Sequence, residues 1–382
     1  MRVMVSCGEP SGDLYAASLT RELYRLAPGT TVTGFGGERL RAAGANLTDD
    51  FSGLSVTGLV EVARLLPKTF ATYRRLVAEA RANRPDVFVA IDFPDFNFRL
   101  AQAVRRLGVP VVYYISPQLW AWRPGRMKTM KRIADRVLVI FPFEEEIYRQ
   151  AGVSATWVGH PLLDELPAPR PRSVLREQIG AGHGETLVAL LPGSRANEVT
   201  QILPTLIEAA TLIRARLPSA GFVIARAPHL ADELFEPVRR LGGSPPRVVE
   251  GMTDDVLAGA DIALVASGTV TVQAAIHECP MVVVYRLAPL TYRLGKPFVR
   301  VDTYAMANLV AGHRVVPELI QERFTAEAVA TEALDILTNT RRAEKMKTEL
   351  REVRRRLGDP GASARAAREV LVVARAGRGT VS

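Results

Sequence analysis

Short apolar, β-branched runs alternate along the chain with longer stretches in which apolar residues return every three or four positions. This is the pattern of βα units wound around a parallel sheet. In the first half it predicts strands over Val3–Ser6, Val32–Phe35, Val87–Ile91, Val109–Tyr114, Val137–Phe141 and Thr156–Val158, with helices over Ser11–Leu26, Phe70–Asn83, Phe98–Leu107 and Phe143–Ala151. The segment Pro161–Pro171 holds four prolines and few apolar residues, so it extends neither sheet nor helix and reads as a linker. The alternation then restarts, with strands expected over Thr186–Leu191, Phe222–Ala225, Arg247–Glu250, Ile262–Ala266 and Val282–Tyr285 and helices near Glu198–Ala215, Leu230–Leu241 and Val270–His277. Past Phe324 the pattern is helical over Ala326–Leu337 and Arg341–Leu357, breaks at Asp359-Pro360-Gly361, and ends in a helix over Ala362–Ala374. The expected fold class is α/β: two Rossmann-like parallel-sheet domains, residues 1–165 and 172–357, facing across a cleft, with residues 358–382 reaching back to the first domain.

With 382 residues, 48% hydrophobic and 23% charged, the chain can give each domain its own core, which excludes disorder, collagen and coiled coil. A strand is read directly after Met1, so no secretory signal is expected, and Cys7 and Cys279 lie far apart. Two buried thiols in a reducing cytoplasm are expected. No apolar run reaches the roughly 18 residues of a spanning helix; the nearest, Val256–Ile276, is broken by Asp261, glycines and hydroxyls. Forty-nine Lys+Arg against forty Asp+Glu give a net charge of +9, so an anionic partner is expected. Nucleotide, phospholipid and nucleic acid all satisfy charge alone, but the cations are spread over both halves and no recognised nucleic-acid module is present.

Four stretches carry candidate chemistry. Gly8-Glu9-Pro10-Ser11-Gly12-Asp13 follows the first strand and opens a helix, where backbone and helix N-terminus approach a ligand; the alternative is a tight βα turn capped by Ser11. Ile91-Asp92-Phe93-Pro94-Asp95-Phe96-Asn97 puts carboxylates at the C-terminal edge of the sheet, where open α/β folds keep their ligands. Wedged among Phe93, Pro94 and Phe96, Asp92 is the candidate general base, desolvated enough to accept a proton near working pH, whereas Asp95 and Asn97 fit turn and cap positions. Pro192-Gly193-Ser194-Arg195, with Glu198 three residues on, joins a small-residue turn, a fixed positive charge and a helix N-terminus into an anion pocket suited to diphosphate. Ala266-Ser267-Gly268-Thr269 repeats the device.

Metal chemistry finds no support, because His160, His183, His229, His277 and His313 are scattered, and no Gly-x-Ser-x-Gly elbow marks a nucleophile. His160, at the domain junction, is either a structural hydrogen-bonder or a cleft residue. Trp120-Ala121-Trp122-Arg123 opens a stretch with six cationic residues and one acidic up to Arg136, and Leu59–Leu76 mixes Val60, Val62, Leu65, Leu66, Phe70 and Tyr73 with Arg64, Lys68, Arg74 and Arg75. Both suit docking on an anionic membrane; core packing beneath a solvated helix face explains them equally well.

Read together and in order, these motifs, with Pro85-Asp86-Val87-Phe88, Phe141-Pro142-Phe143-Glu144, Val158-Gly159-His160 and Asn308-Leu309-Val310-Ala311-Gly312, resemble the lipid-A-disaccharide synthase family nearly end to end. The resemblance implies a GT-B architecture without cofactor or required metal, peripheral on the inner face of the cytoplasmic membrane. It also implies an inverting transfer that joins UDP-2,3-diacylglucosamine to 2,3-diacylglucosamine 1-phosphate by a β-1,6 bond and releases UDP. By position, Asp92 would take the proton of the acceptor 6-hydroxyl and Arg195 would balance charge on the leaving diphosphate. Gly193, Ser194, Ser267, Gly268, Thr269, Gln273 and Asn308 would fall on the donor nucleotide, and Glu9, Ser11, Trp120, Trp122, Arg123 and His160 on the acceptor side of the cleft. Two positions depart from the family: Pro10 stands where Ala is common, and Gln273 where a Glu is usual, which replaces a charge-assisted bond to a ribose hydroxyl by a neutral one. Another UDP-amino-sugar GT-B enzyme, transferase or epimerase, and a non-catalytic nucleotide-responsive membrane protein remain alternatives, and the choice between monomer and homodimer stays open.

Overall fold

A computed structural model of the chain describes residues 1–51, 59–122, 124–182, 184–239, 244–286 and 303–379. Two compact units emerge, one from Met1–Glu165 together with Leu357–Ser382 and the other from Leu166–Arg356. The first holds a seven-stranded sheet in the order β3-β2-β1-β4-β5-β6-β7, every pair parallel. Its strands are β1 (Arg2–Ser6), β2 (Thr31–Gly36), β3 (Asn46–Asp50), β4 (Val87–Ile91), β5 (Val111–Tyr114), β6 (Arg136–Val139) and β7 (Ala155–Trp157). The helices between them are α1 (Pro10–Leu26), α2 (Glu38–Ala42), α3 (Leu59–Ala82), α4 (Pro94–Arg105), α5 (Leu119–Trp122), α6 (Met127–Ile133) and α7 (Pro142–Gln150). The inner strands β4 and β5 are buried at every position, as expected where both faces carry helices and the strand reads as an unbroken apolar run.

The second unit repeats the plan with six parallel strands in the order β10-β9-β8-β11-β12-β13. These are β8 (Thr186–Leu191), β9 (Ala220–Arg226), β10 (Arg247–Glu250), β11 (Ile262–Ala266), β12 (Met281–Tyr285) and β13 (Glu318–Ile320). In both sheets the strand order reverses at one pair, β1 and β4 in the first and β8 and β11 in the second. On either side of such a pair the connections leave for opposite faces, which opens the C-terminal edge there.

Several elements depart from the sequence reading. Strands β3 and β13 were not expected: β3 is a polar edge strand and β13 spans three residues. Helix α3 starts at Leu59 rather than near Phe70 and carries Pro67 within it. The expected linker opens with a 3-10 turn over Pro161–Asp164 that buries Leu162 and Leu163, so its first residues belong to the first unit. The Asp164 carboxylate accepts the amides of Gly361, Ala362 and Ser363 and thereby caps the last helix, Ala362–Gly379, which packs on α1. The helix expected over Leu230–Leu241 is a 3-10 turn over Asp232–Phe235 continued by one helical turn over Glu236–Arg239. Both cysteines are free and buried, and burial raises both thiols, leaving them unreactive.

Candidate active site

The pairs of strands at which the two sheets reverse are the pairs whose ends carry the candidate motifs. In the first unit β1 runs into Gly8-Glu9-Pro10 and β4 into Asp92, with Ser6 beside Ala90 in the register. Pro10 is the first residue of α1 and Glu9 its N-cap, so Ser11 lies inside the helix and does not cap it; Pro10 costs nothing there, since the first amide of a helix has no partner to lose. Asp13 one turn on is buried and accepts the amides of Gly37, Arg39 and Leu40 at 2.7, 2.9 and 3.2 Å, so it caps α2.

Asp92 and Phe93 are both left-handed, with φ of +45° and +48°. Two successive non-glycine residues in this region cost roughly 1–2 kcal/mol each, and such strain persists only where neighbours over-determine it. Here Asn97, fully buried on α4, supplies the restraint. Its Nδ2 donates to the carbonyls of Asp92 (2.8 Å), Ser6 (3.1 Å) and Ile91 (3.2 Å), and its Oδ1 accepts the Ser6 hydroxyl at 2.6 Å. The Tyr113 hydroxyl donates to the same Asp92 carbonyl at 2.9 Å, and the Asp92 amide donates to Tyr114 O at 3.2 Å. The Phe93 ring closes over Gly8 so tightly that a Cβ there would stand 2.4 Å from it, so only glycine lets the two turns meet. Asp92 itself is half-buried, and its charge helps burial raise the phenols of Tyr15 and Tyr113. Asp95, read as a turn residue, is exposed and pairs with Arg126 at 2.6 Å.

The other predicted members of this side divide. Trp120, half-buried, donates its indole N–H to Glu144 Oε1 at 3.3 Å and stands edge-on to Phe143. His160 is buried, its Nδ1 accepts the Leu162 amide at 3.2 Å, and its ring touches Tyr15 and Phe141; burial pushes its pKa down to about 3. Sealed in this way, the imidazole is uncharged near neutral pH. Arg123 and the Trp122 side chain lie outside the described residues, as does His183. Among the described residues no group of three His, Cys, Asp or Glu side chains is arranged to hold a metal.

In the second unit the turn after β8, Pro192 to Arg195, borders the turn after β11, Ser267 to Thr269, with Leu191 facing Val265 in the register. The first of them is already occupied. Glu198, in the first turn of the helix Ala196–Arg216, accepts the amides of Ser194 and Arg195 at 3.0 and 3.2 Å and holds the Arg195 guanidinium at 3.3 Å. Gly193, at φ +126°, admits this contact, because a Cβ would stand 2.5 Å from the carboxylate. The helix Thr269–Ile276 carries no acidic residue in its own first turn, unlike the helix Ala196–Arg216 with Glu198. Gln273 follows Thr269 by one turn, with its Nε2 3.5 Å from Asp254 Oδ1, which also takes His277 Nε2 at 2.9 Å. Ser267 donates to Tyr304 O at 3.0 Å. Asn308 is buried, donates to Val316 O and Glu318 and accepts the amides of Val315 and Val316, so both ends of its amide serve the loop around it.

Glu144 was not singled out as a site residue. Pro142 at the first helical position and Glu144 at the third mark a helix start, but only the structure shows the carboxyl fully buried beneath Trp120. Burial pushes it up from 4.5 to about 7, against hydrogen bonds from Trp120 and the amides of Phe141 and Ile140.

The model of the Lipid-A-disaccharide synthetase family matches residues 3–371. The chain belongs to the lipid-A-disaccharide synthase family. It is therefore an enzyme of the glycosyltransferase class. The lipid-A-disaccharide synthase of Myxococcus xanthus is 42% identical over 99% of this chain and 98% of its own, and that of Geobacter sulfurreducens 41% identical over 97% and 96%. Among solved structures, the UDP-GlcNAc 2-epimerase of Neisseria meningitidis bound to UDP-GlcNAc superposes with a TM-score of 0.70 at 13% identity, covering 97% of this chain and all of that one. The calicheamicin glycosyltransferase CalG4 does so with a TM-score of 0.61 at 18% identity, covering 97% and 98%. At such identities the likeness is one of fold, two Rossmann-like parallel-sheet units of the GT-B kind.

Two outcomes follow from the buried groups. Asn97→Ala strips a buried donor from three carbonyls and should lower stability by roughly 2–4 kcal/mol in urea unfolding; a loss under about 0.5 kcal/mol would show that the Asp92 turn holds without it. For Glu144, the unfolded chain releases its proton near 4.5 and the folded one near 7, so the carboxyl weakens the fold increasingly as pH rises between those values. The stability difference between Glu144→Gln and wild type should move by about 3 kcal/mol in favour of Gln from pH 4.5 to pH 8; a pH-independent difference contradicts the buried, raised carboxyl.

Proposed function

We propose that the chain joins UDP-2,3-diacylglucosamine to 2,3-diacylglucosamine 1-phosphate through a β-1,6 bond with inversion, releasing UDP. The observation that carries this reading is that each sheet's reversal point is flanked by the motifs the reaction needs: Asp92 beside the Gly8 turn in one unit, Arg195 beside Ser267-Gly268-Thr269 in the other. The Asp92 carboxylate takes the proton of the acceptor 6-hydroxyl, and the oxygen attacks the anomeric carbon from the side opposite the nucleotide. As the bond to the diphosphate breaks, Arg195 and the N-terminal end of the helix Thr269–Ile276 take up the developing charge. General-base help contributes about a hundred- to ten-thousand-fold, and the remainder falls to electrostatics and positioning. The clamped turn serves the base, since a carboxylate displaced by about 1 Å forfeits much of that gain.

Arg195 must exchange one anion for another, leaving Glu198 for the diphosphate. Gln273, on the same helix face as Thr269, serves the ribose as a neutral hydrogen-bonder, and Glu9 and Ser11 border the acceptor. Acylated substrates are met at an anionic bilayer surface through α3, where Leu66 and Phe70 are 59% and 61% exposed beside exposed Lys68 and Arg74, while Leu76 turns into the core. No helix among the described residues is long and apolar enough to cross a membrane.

Asp92→Ala and Arg195→Ala should each abolish nearly all disaccharide formation, read by mass spectrometry from the two acylated glucosamines, while both proteins keep the wild-type unfolding midpoint to within a few degrees. Near-normal UDP release by either variant would falsify its assigned role. Glu198→Gln removes the internal anion that competes for Arg195 and should tighten UDP binding about three- to tenfold in calorimetry, less so at high salt. Weaker binding would mean that Glu198 holds the turn in shape rather than competing.

A further inference from the structure

The turn after β5 is held from two sides. From α7, the Tyr148 hydroxyl meets the Ser116 hydroxyl and donates to Pro117 O at 3.3 Å, while Glu144 Oε1 accepts the Trp120 indole N–H at 3.3 Å. From α4, Asp95 pairs with Arg126, whose guanidinium lies 5.6 Å over the Phe98 ring. Residues 115–120 are thus held at the C-terminal end of β5, next to the strand that runs into Asp92. Ile115, at φ +56°, starts the segment with another left-handed residue, and its amide donates to Leu138 O at 3.0 Å.

Glu144 is suited to hold this segment in a way that its amide counterpart is not. Among the N–H groups that converge on its carboxyl, Trp120 Nε1 meets Oε1 and the Phe141 amide meets Oε2, both at 3.3 Å. A carboxylate offers an acceptor oxygen to each, whereas a carboxamide turns its own NH2 against one of them. Burying the group works against the fold, so its presence at a sheet edge that carries the candidate base points to work other than folding. Trp120 packs its edge on Phe143, with ring centroids 5.3 Å apart at 89°, and stays half-buried. An indole whose N–H is already engaged presents only its apolar faces, the surface that stacks against the C–H face of a sugar ring.

We propose that Glu144 is a positioning residue for the acceptor: it fixes the Trp120 ring as the wall of the acceptor-sugar site next to Asp92, and acts on catalysis only through that ring. This rests on the reading given under Proposed function and adds the residue that orders its acceptor subsite. Glu144 does not touch the sugar; Trp120 does. The donor is untouched by either.

The full-length protein with the two acylated glucosamine substrates provides the test. Glu144→Ala should raise KM for the acceptor at least tenfold, and Glu144→Gln about threefold or more, with kcat and the donor KM within threefold of wild type. Trp120→Ala should show the same split, and Glu144→Ala combined with Trp120→Ala should be no worse than Trp120→Ala alone, because the two residues act as one unit. Should Glu144→Ala fail to fold, Glu144→Gln closes the same cycle. Multiplicative losses in the double variant, equal changes in both KM values, or an unmoved acceptor KM each overturn the proposal. A wild-type protein that makes no disaccharide from this pair overturns the parent reading, and this one with it, whereas an active wild type with an unmoved acceptor KM overturns this one alone.

Discussion

A parallel sheet whose crossovers all turn right-handed must send its chain to opposite faces on either side of one strand pair, and at that pair the connecting loops part. This constraint acts twice in the molecule, between β1 and β4 and between β8 and β11. The Gly8–Asp13 turn and Asp92 lie at the first of these gaps, and the Gly193–Arg195 and Ser267–Thr269 turns at the second. What differs is how each gap is furnished: the first by a carboxylate on a strained, clamped turn, the second by helix N-termini and an arginine.

Strain and clamp go together. A left-handed Asp92-Phe93 pair would relax if its only support were its own backbone, and the support comes instead from a neighbouring strand, a neighbouring helix and a glycine that yields space to Phe93. The same economy of parts recurs in two glutamates at equivalent helix positions. Glu198 and Glu144 each sit third in a helix and accept the amide before it, yet Glu198 meets an arginine at the rim while Glu144 is sealed under an indole. One capping device therefore braces an arginine turn in one place and buries a carboxyl raised to about 7 in the other.

The sequence pattern revealed the buried strands well, because a strand covered on both faces must be apolar throughout; Val87–Ile91, Thr186–Leu191 and Ile262–Ala266 stand where the pattern put them. It missed β3, Asn-Leu-Thr-Asp-Asp, because an edge strand with polar faces has no such signature, and it started α3 near Phe70 although the helix begins at Leu59 and carries Pro67 within it. At the site, spacing placed Asp92 and Arg195 at strand ends. It could not show that Asp92 is left-handed, that Asn97 spans two strands rather than capping one helix, that His160 is sealed among rings, or that Glu198 fills the anion pocket. Each of these depends on partners remote in sequence, Ser6 for Asn97 and Tyr15 for His160, or on backbone geometry that non-glycine residues seldom adopt, except Glu198, whose spacing from Arg195 was visible and whose competition for it was not.

The chain leaves the first unit after Glu165 and re-enters it at Leu357. The two crossing points lie side by side, with the His160 amide on Leu357 O at 3.0 Å and Asp164 gripping the start of the final helix. In engineering terms the second unit is a cassette spliced into a host that is already closed around the insertion point. A short peptide bridge from residue 165 to residue 357 would restore a continuous host chain without stretching it, whereas a simple truncation before the last helix would tear a wall from the host. Fragment boundaries for this molecule thus follow the seam between entry and exit, and not the order in which a ribosome delivers the residues.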